Sequence, residues 1–118
     1  MSYKTLEKHI SPDGLLTFSV LQYPDEDNDI SLGFENFEWH THADILASTL
    51  ELSEEEAIRR FVDDLLNNQQ IIVVMKKENK IVQVWITEDP IAEIKYQQDD
   101  EVLEFRYWNG QKLKLEKR

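Results

Sequence analysis

The sequence predicts an α+β fold: a twisted antiparallel sheet of about six or seven strands, with one main helix (about 53–67) packed on one face. Three observations carry that expectation. Short apolar runs with strand-like alternation recur along the chain, divided by turn signals such as Ser11-Pro12-Asp13-Gly14, Glu78-Asn79 and Asn109-Gly110. Only Ser53–Asn67 has an unambiguous helical period. Finally, 118 residues with 41% hydrophobic and 10% aromatic content suffice for one core, so a single domain, 1–118, is expected.

Tyr3 to Tyr23 has the pattern of a hairpin. Pro12 pre-sets φ and Gly14 accepts the left-handed conformation, which favours a three-residue loop, Pro12-Asp13-Gly14. Ile10 then faces Leu16 and Leu6 faces Val20. Leu6, Ile10, Leu16, Phe18 and Val20 share one side, while Glu7, His9, Thr17 and Ser19 share the other. His9 is therefore expected on the solvent face. The loop Pro24–Asp29 carries four acids and no base, the composition of a solvated turn. It lacks the glycine and the distal glutamate of an EF-hand. Ile30, Leu32 and Phe34 alternate as a short strand, and Ala43–Leu50 fits a short helix.

Ser53 and Glu56 form a capping box, with acids in the first turn favoured by the helix dipole. Ala57, Ile58, Phe61, Val62, Leu65 and Leu66 make the apolar stripe that follows, and Asn67-Asn68 ends it. A two-residue turn at Glu78-Asn79 pairs Met75 with Val82, Val73 with Val84 and Ile71 with Ile86. Both faces are mostly apolar, so two central strands are expected, with Trp85 in the core. Asp89-Pro90 breaks the run; Ile91–Gln97 is a strand or a helical turn begun by the proline, and Gln98–Glu101 is a turn.

Val102–Tyr107 and Gln111–Glu116 flank Asn109-Gly110. A plain two-residue turn would set Arg106 against Leu113. A three-residue loop, Trp108-Asn109-Gly110 with a glycine bulge, instead opposes Phe105 to Leu113, Leu103 to Leu115 and Glu104 to Lys114, with Arg106 opposite Lys112. The bulged loop is predicted.

The net charge, 13 basic against 24 acidic side chains, is −11. That field repels nucleic acid and anionic membranes and attracts a basic protein partner. The longest apolar run, Ile71–Met75, is far too short to span a bilayer, and no signal peptide is recognisable at the N-terminus. No cysteine is present, which excludes disulfides and thiolate chemistry; a cytoplasmic location is expected.

Chemistry concentrates in Gly33–Leu46. In an extended chain His40 and His42 project to one side, and with Asp44 they could begin a metal site or an acid–base pair. A metal needs a third ligand that no second cluster supplies, so no metal and no cofactor are expected. The cluster His40, His42 and Asp44 carries the alternative reading, a metal-dependent or acid–base enzyme. No nucleophile elbow and no Gly-rich phosphate loop occur, and no catalytic residue is assigned. The leading reading is a non-enzymatic acidic binding protein. Asp25, Glu26, Asp27, Asp29, Glu35 and Glu38 would steer the partner, and Trp39, the tryptophan amid polar neighbours, would anchor it. An open sheet face would accept that partner or a homodimer mate.

Three runs also look familiar: Gly33–His42 with Asp44-Ile45-Leu46, Phe61–Leu66, and Phe105–Gly110. Together they resemble a group of small bacterial domains, some similar to immunity proteins of polymorphic or contact-dependent toxin systems. The run Trp39-His40-Thr41-His42 is the distinctive part. The resemblance implies a cytoplasmic bacterial protein that neutralises a basic, nuclease-like toxin domain by binding it. It brings no catalytic residues.

Overall fold

The structure, a computed structural model, describes residues 2–113. Its elements run β1 (Lys4–Ile10), β2 (Thr17–Tyr23), β3 (Asp29–Phe34), β4 (His40–His42), α1 (Ala43–Leu50), α2 (Glu54–Leu66), β5 (Ile71–Lys77), β6 (Lys80–Thr87), α3 (Pro90–Lys95) and β7 (Val102–Arg106). The α+β class and antiparallel pairing are as expected. The single sheet is not. The strands divide into a four-stranded meander, β1-β2-β3-β4, and a three-stranded sheet ordered β6-β5-β7. The reason lies at β4, which is three residues long and runs straight into α1 at the buried Ala43. The chain leaves the first sheet there, passes through two helices, and starts afresh with β5, which takes β6 and β7 on its two edges.

One core joins the two sheets. Leu16, Phe18, Val20, Leu32 and Phe34 come from the first sheet and its loop, Ile72, Val74 and Val84 from the second, and Ala43, Ile58, Val62, Leu65 and Trp108 close it. Phe18 is its centre, edge-on to Phe34 at 5.2 Å and stacked with Phe61 at 6.0 Å. In α2 the Ser53 hydroxyl accepts from the Glu56 N–H (3.2 Å), and Ala57, Ile58, Val62 and Leu65 are its buried stripe. The stretch begun by Pro90 settles as the short helix α3, Pro90–Lys95, capped by Asp89, whose side chain accepts from the Ala92 N–H at 3.1 Å.

The three hairpins show how register is set. At the first, Ser11 N–H donates to Leu16 O (2.8 Å) and Gly14 N–H to Ser11 O (2.8 Å), so Leu15 joins the loop. Asp13 holds it open: its Oδ1 accepts from the Ser11 hydroxyl (2.6 Å) and the Leu15 N–H (3.1 Å). The extra residue pairs Ile10 with Thr17 and His9 with Phe18. This overturns the expected face: Ile10 is 63% exposed, whereas His9 turns to the Phe18 side, half-buried, its Nε2 3.1 Å from Glu7 Oε1. A bulge at Leu6 then restores the anticipated alignment, Thr5 with Leu21.

At the second hairpin Glu78 (φ 52°) and Asn79 (φ 66°) form the expected two-residue turn, with Lys77 opposite Lys80. A bulge at Val82 shifts the rest by one residue, giving Val74 opposite Val84 and Ile72 opposite Ile86. Only β5 is central, with Ile72, Val73 and Val74 all buried; β6 is an edge strand. Trp85, expected in the core, is half-buried beside Val73 on the face turned away from it, and Trp108 occupies the core instead.

The third hairpin forms as predicted. Tyr107 N–H donates to Gln111 O (2.9 Å), Leu113 N–H donates to Phe105 O (2.8 Å), Arg106 bridges Lys112, and Gly110 takes φ 94°. The expected pairs Leu103–Leu115 and Glu104–Lys114 fall outside the described residues. Within them, Glu104 is held by Lys76 Nζ at 2.8 Å and Lys112 Nζ at 3.0 Å. Those lysines, Lys76 foremost, lower its carboxyl below the ordinary range against the opposing effect of burial.

Candidate functional site

The helices cover one face of the first sheet. The other face is a groove of about 780 Å³ that runs across β1 to β4. Register dictates its lining. One row crosses Thr5, Leu21, Ser31 and His42; the next crosses Lys8, Ser19, Gly33 and His40. Tyr3 and Tyr23, with ring centroids 5.9 Å apart, close one end.

Gly33 sets the spacing at the other end. A Cβ there would lie 2.8 Å from Trp39 O and 3.0 Å from His40 Cβ, so β4 can approach β3 this closely only over a glycine. Asn36 (φ 72°) turns the chain between them, and Trp39 tucks half-buried against the core, 6.1 Å from Phe34 between ring centroids.

The two histidines are fixed by different acceptors. His40 Nδ1 donates to Glu38 O and His42 Nδ1 to Asp29 Oδ2, both at 2.8 Å. A carbonyl and a carboxylate can only accept, so each ring carries its hydrogen on Nδ1 and presents Nε2 as a lone pair when neutral. The rings meet edge-to-face, 4.8 Å between centroids at 81°.

Among the residues singled out in the sequence, Glu26, Asp29, Glu35, Trp39, His40 and His42 line the groove. Glu35 Oε1 accepts from the Ser19 hydroxyl (2.8 Å) and faces Lys8 Nζ at 3.6 Å. Asp25, Asp27 and Glu38 are exposed but do not line it. Asp44 is separated from the histidines: it sits in the first turn of α1, accepts from the Ile45 N–H (2.8 Å), and lines another hollow with Glu26, Asp27, Asp29 and Glu54. The carboxylate that meets His42 is Asp29. No set of three histidine or acidic side chains among the described residues is placed to hold a metal ion. Lys8, Ser19, Ser31 and the two tyrosines were not singled out, although their alternation with Phe18 and Val20 marks them as the opposite face.

A second polar cluster lies outside the groove. Arg106 is 4% exposed, and its guanidinium donates to Asp13 Oδ2 (2.7 Å), Tyr107 O (3.1 Å) and Trp108 O (3.1 Å). The hydrogen bond from Arg106, helped by Ser11 and the Leu15 N–H, holds the Asp13 carboxyl far below the usual carboxylate range although partial burial opposes it. This pair joins the β1–β2 turn to the end of β7, and its role is structural.

Comparison with protein-family models, curated proteins and solved structures finds no match. The functional reading therefore rests on the groove and its chemistry.

Proposed function

We propose that this chain is a non-enzymatic binding protein for a basic protein partner, acting in the manner of an immunity protein that masks a toxin domain. The observation that carries the reading is the uncovered face of the four-stranded sheet, with Glu26, Asp29 and Glu35 among its lining and Tyr3, Tyr23 and Trp39 as its aromatic surface. In a chain of net charge −11 these acids would accelerate encounter with a cationic surface, and the aromatics would supply contact area once it is docked. Asp25, Asp27 and Glu38 are exposed outside the groove and would add to the overall negative field. The alternative, a metal-dependent or acid–base enzyme centred on His40, His42 and Asp44, has less support, because Asp44 lies outside the groove.

The test is co-purification with the product of the adjacent gene. A basic protein should be retained at low salt and released progressively as salt rises, and the double substitution Glu26→Lys, Glu35→Lys should weaken retention. Loss of all basic partners at low salt, or recovery of a homodimer closed over this face, would overturn the proposal.

A further inference from the structure

We infer that His40 and His42 form a two-histidine site for a divalent transition-metal ion, with Asp29 as its positioning residue. The inference does not depend on the docking of a protein partner. It starts from the tautomers. Because Glu38 O and Asp29 Oδ2 both accept from Nδ1, both rings offer Nε2, the atom an imidazole uses to coordinate when its other nitrogen is tied down. The carboxylate behind His42 is the arrangement that fixes the tautomer and orientation of a ligating imidazole.

The spacing agrees. A metal–nitrogen bond of ~2.0–2.1 Å, added to ~1.2 Å from nitrogen to ring centre, puts each centroid ~3.2 Å from a shared ion. Two such rings subtending ~90–110° at the ion have centroids ~4.5–5.3 Å apart, the range of square-planar to tetrahedral geometry. The observed separation is 4.8 Å. The pair is also held in place before any ion arrives: both residues lie in β4, paired to Ser31 and Gly33, with Gly33 admitting His40 at that distance.

Ligand chemistry selects the ion. Two neutral imidazoles suit zinc, nickel and copper, whereas magnesium and calcium require oxygen donors. Glu26, Asp29 and Glu35 line the same groove and favour a cation, and the one lysine there, Lys8, faces Glu35. The third ligand that such an ion needs is not among the described residues of this chain, so water or a side chain of a bound molecule fills the remaining coordination positions.

The experiment is a zinc titration of the isolated chain followed by histidine ring NMR signals, with magnesium as the control. The His40 and His42 signals should shift together and saturate at one ion per chain, while those of His9, on the other face of the sheet, stay in place. His40→Ala and His42→Ala should each weaken zinc binding at least tenfold, and Asp29→Asn by about tenfold or more. Unmoved His40 and His42 signals at millimolar zinc, an equal response to magnesium, or unchanged affinity in His40→Ala would overturn the inference. The signals of the unmodified chain are decisive even if a variant folds poorly.

Discussion

Arg106–Asp13 and His42–Asp29 are both pairs of a nitrogen base with an aspartate, yet they are built to opposite ends. Every nitrogen of the Arg106 guanidinium is committed, to Asp13 Oδ2 and to two backbone carbonyls, inside a side chain almost sealed from water. The His42 ring, part of the groove lining, commits Nδ1 to Asp29 and leaves Nε2 without a hydrogen-bond partner among the described residues. The first arrangement engages all three nitrogens, through three of the five N–H groups, in a site closed to water, and it holds the molecule together. The second keeps capacity in reserve at an open surface, which is what a binding group requires. Saturation, more than residue type, separates the structural cluster from the candidate site.

The sharpest way to break the comparison is Asp13→Asn. It leaves the Arg106 charge buried without its counter-ion and should cost about 2–3 kcal/mol of stability. The lower part of that range is favoured because Asp13 itself is 39% exposed and water can partly replace it. The urea midpoint should fall with little change in slope.

The same variant removes part of a pH effect. The native Asp13 carboxyl is depressed, so its contribution is fully present above about pH 4, where the unfolded chain's aspartate is ionised, and is lost as pH falls through that value towards the native one. Glu104, depressed by Lys76 and Lys112, acts in the same sense. Melting temperatures between pH 6 and 2 should therefore drop more steeply for the natural sequence than for Asp13→Asn.

A smaller loss is expected for Gly33→Ala, about 1–2 kcal/mol, because the new methyl must push back Trp39 O and the His40 side chain. Its diagnostic effect is on the groove: weakened pairing of β4 should lower zinc affinity along with stability, which thermal denaturation and titration together would reveal. Smallest of all is His42→Ala. Both partners of its hydrogen bond to Asp29 are about one-third exposed, and the stability change should stay below about 1 kcal/mol while metal binding is lost. If His42→Ala instead destabilised as strongly as Asp13→Asn, the contrast between the two clusters would collapse.

Much of this architecture was legible residue by residue. Ser53 and Glu56 announced α2, Glu78-Asn79 announced its turn, and the opposed charges and leucines around Asn109-Gly110 selected the bulged loop. The two registers that were misjudged have opposite histories. At the first hairpin Leu15 joined the loop and the bulge at Leu6 brought the strands back into the anticipated register, whereas at the second the turn was right and the bulge at Val82 displaced what followed; a bulge changes which neighbour a residue faces without changing composition. The division into two sheets was hidden because β5 chooses β7 across an intervening helix, a long-range pairing with no local signature. In the site, the shared side of His40 and His42 followed from strand geometry. The carboxylate partner of His42 did not: Asp29 lies 13 residues before it and reaches it only through the β3–β4 pairing. Asp44, the near neighbour in sequence, is carried away by the start of α1.

The Asp13–Arg106 contact also orders events in time. Its partners are 93 residues apart, whereas all pairings of the four-stranded sheet join strands adjacent in sequence and are complete by His42. All four strands of that meander leave the ribosome long before Arg106 has been synthesised. The clasp cannot contribute until then, since a loop of that length must be drawn shut before its ion pair gives anything back. A contact made so late acts on how long the native state survives more than on how quickly it is reached.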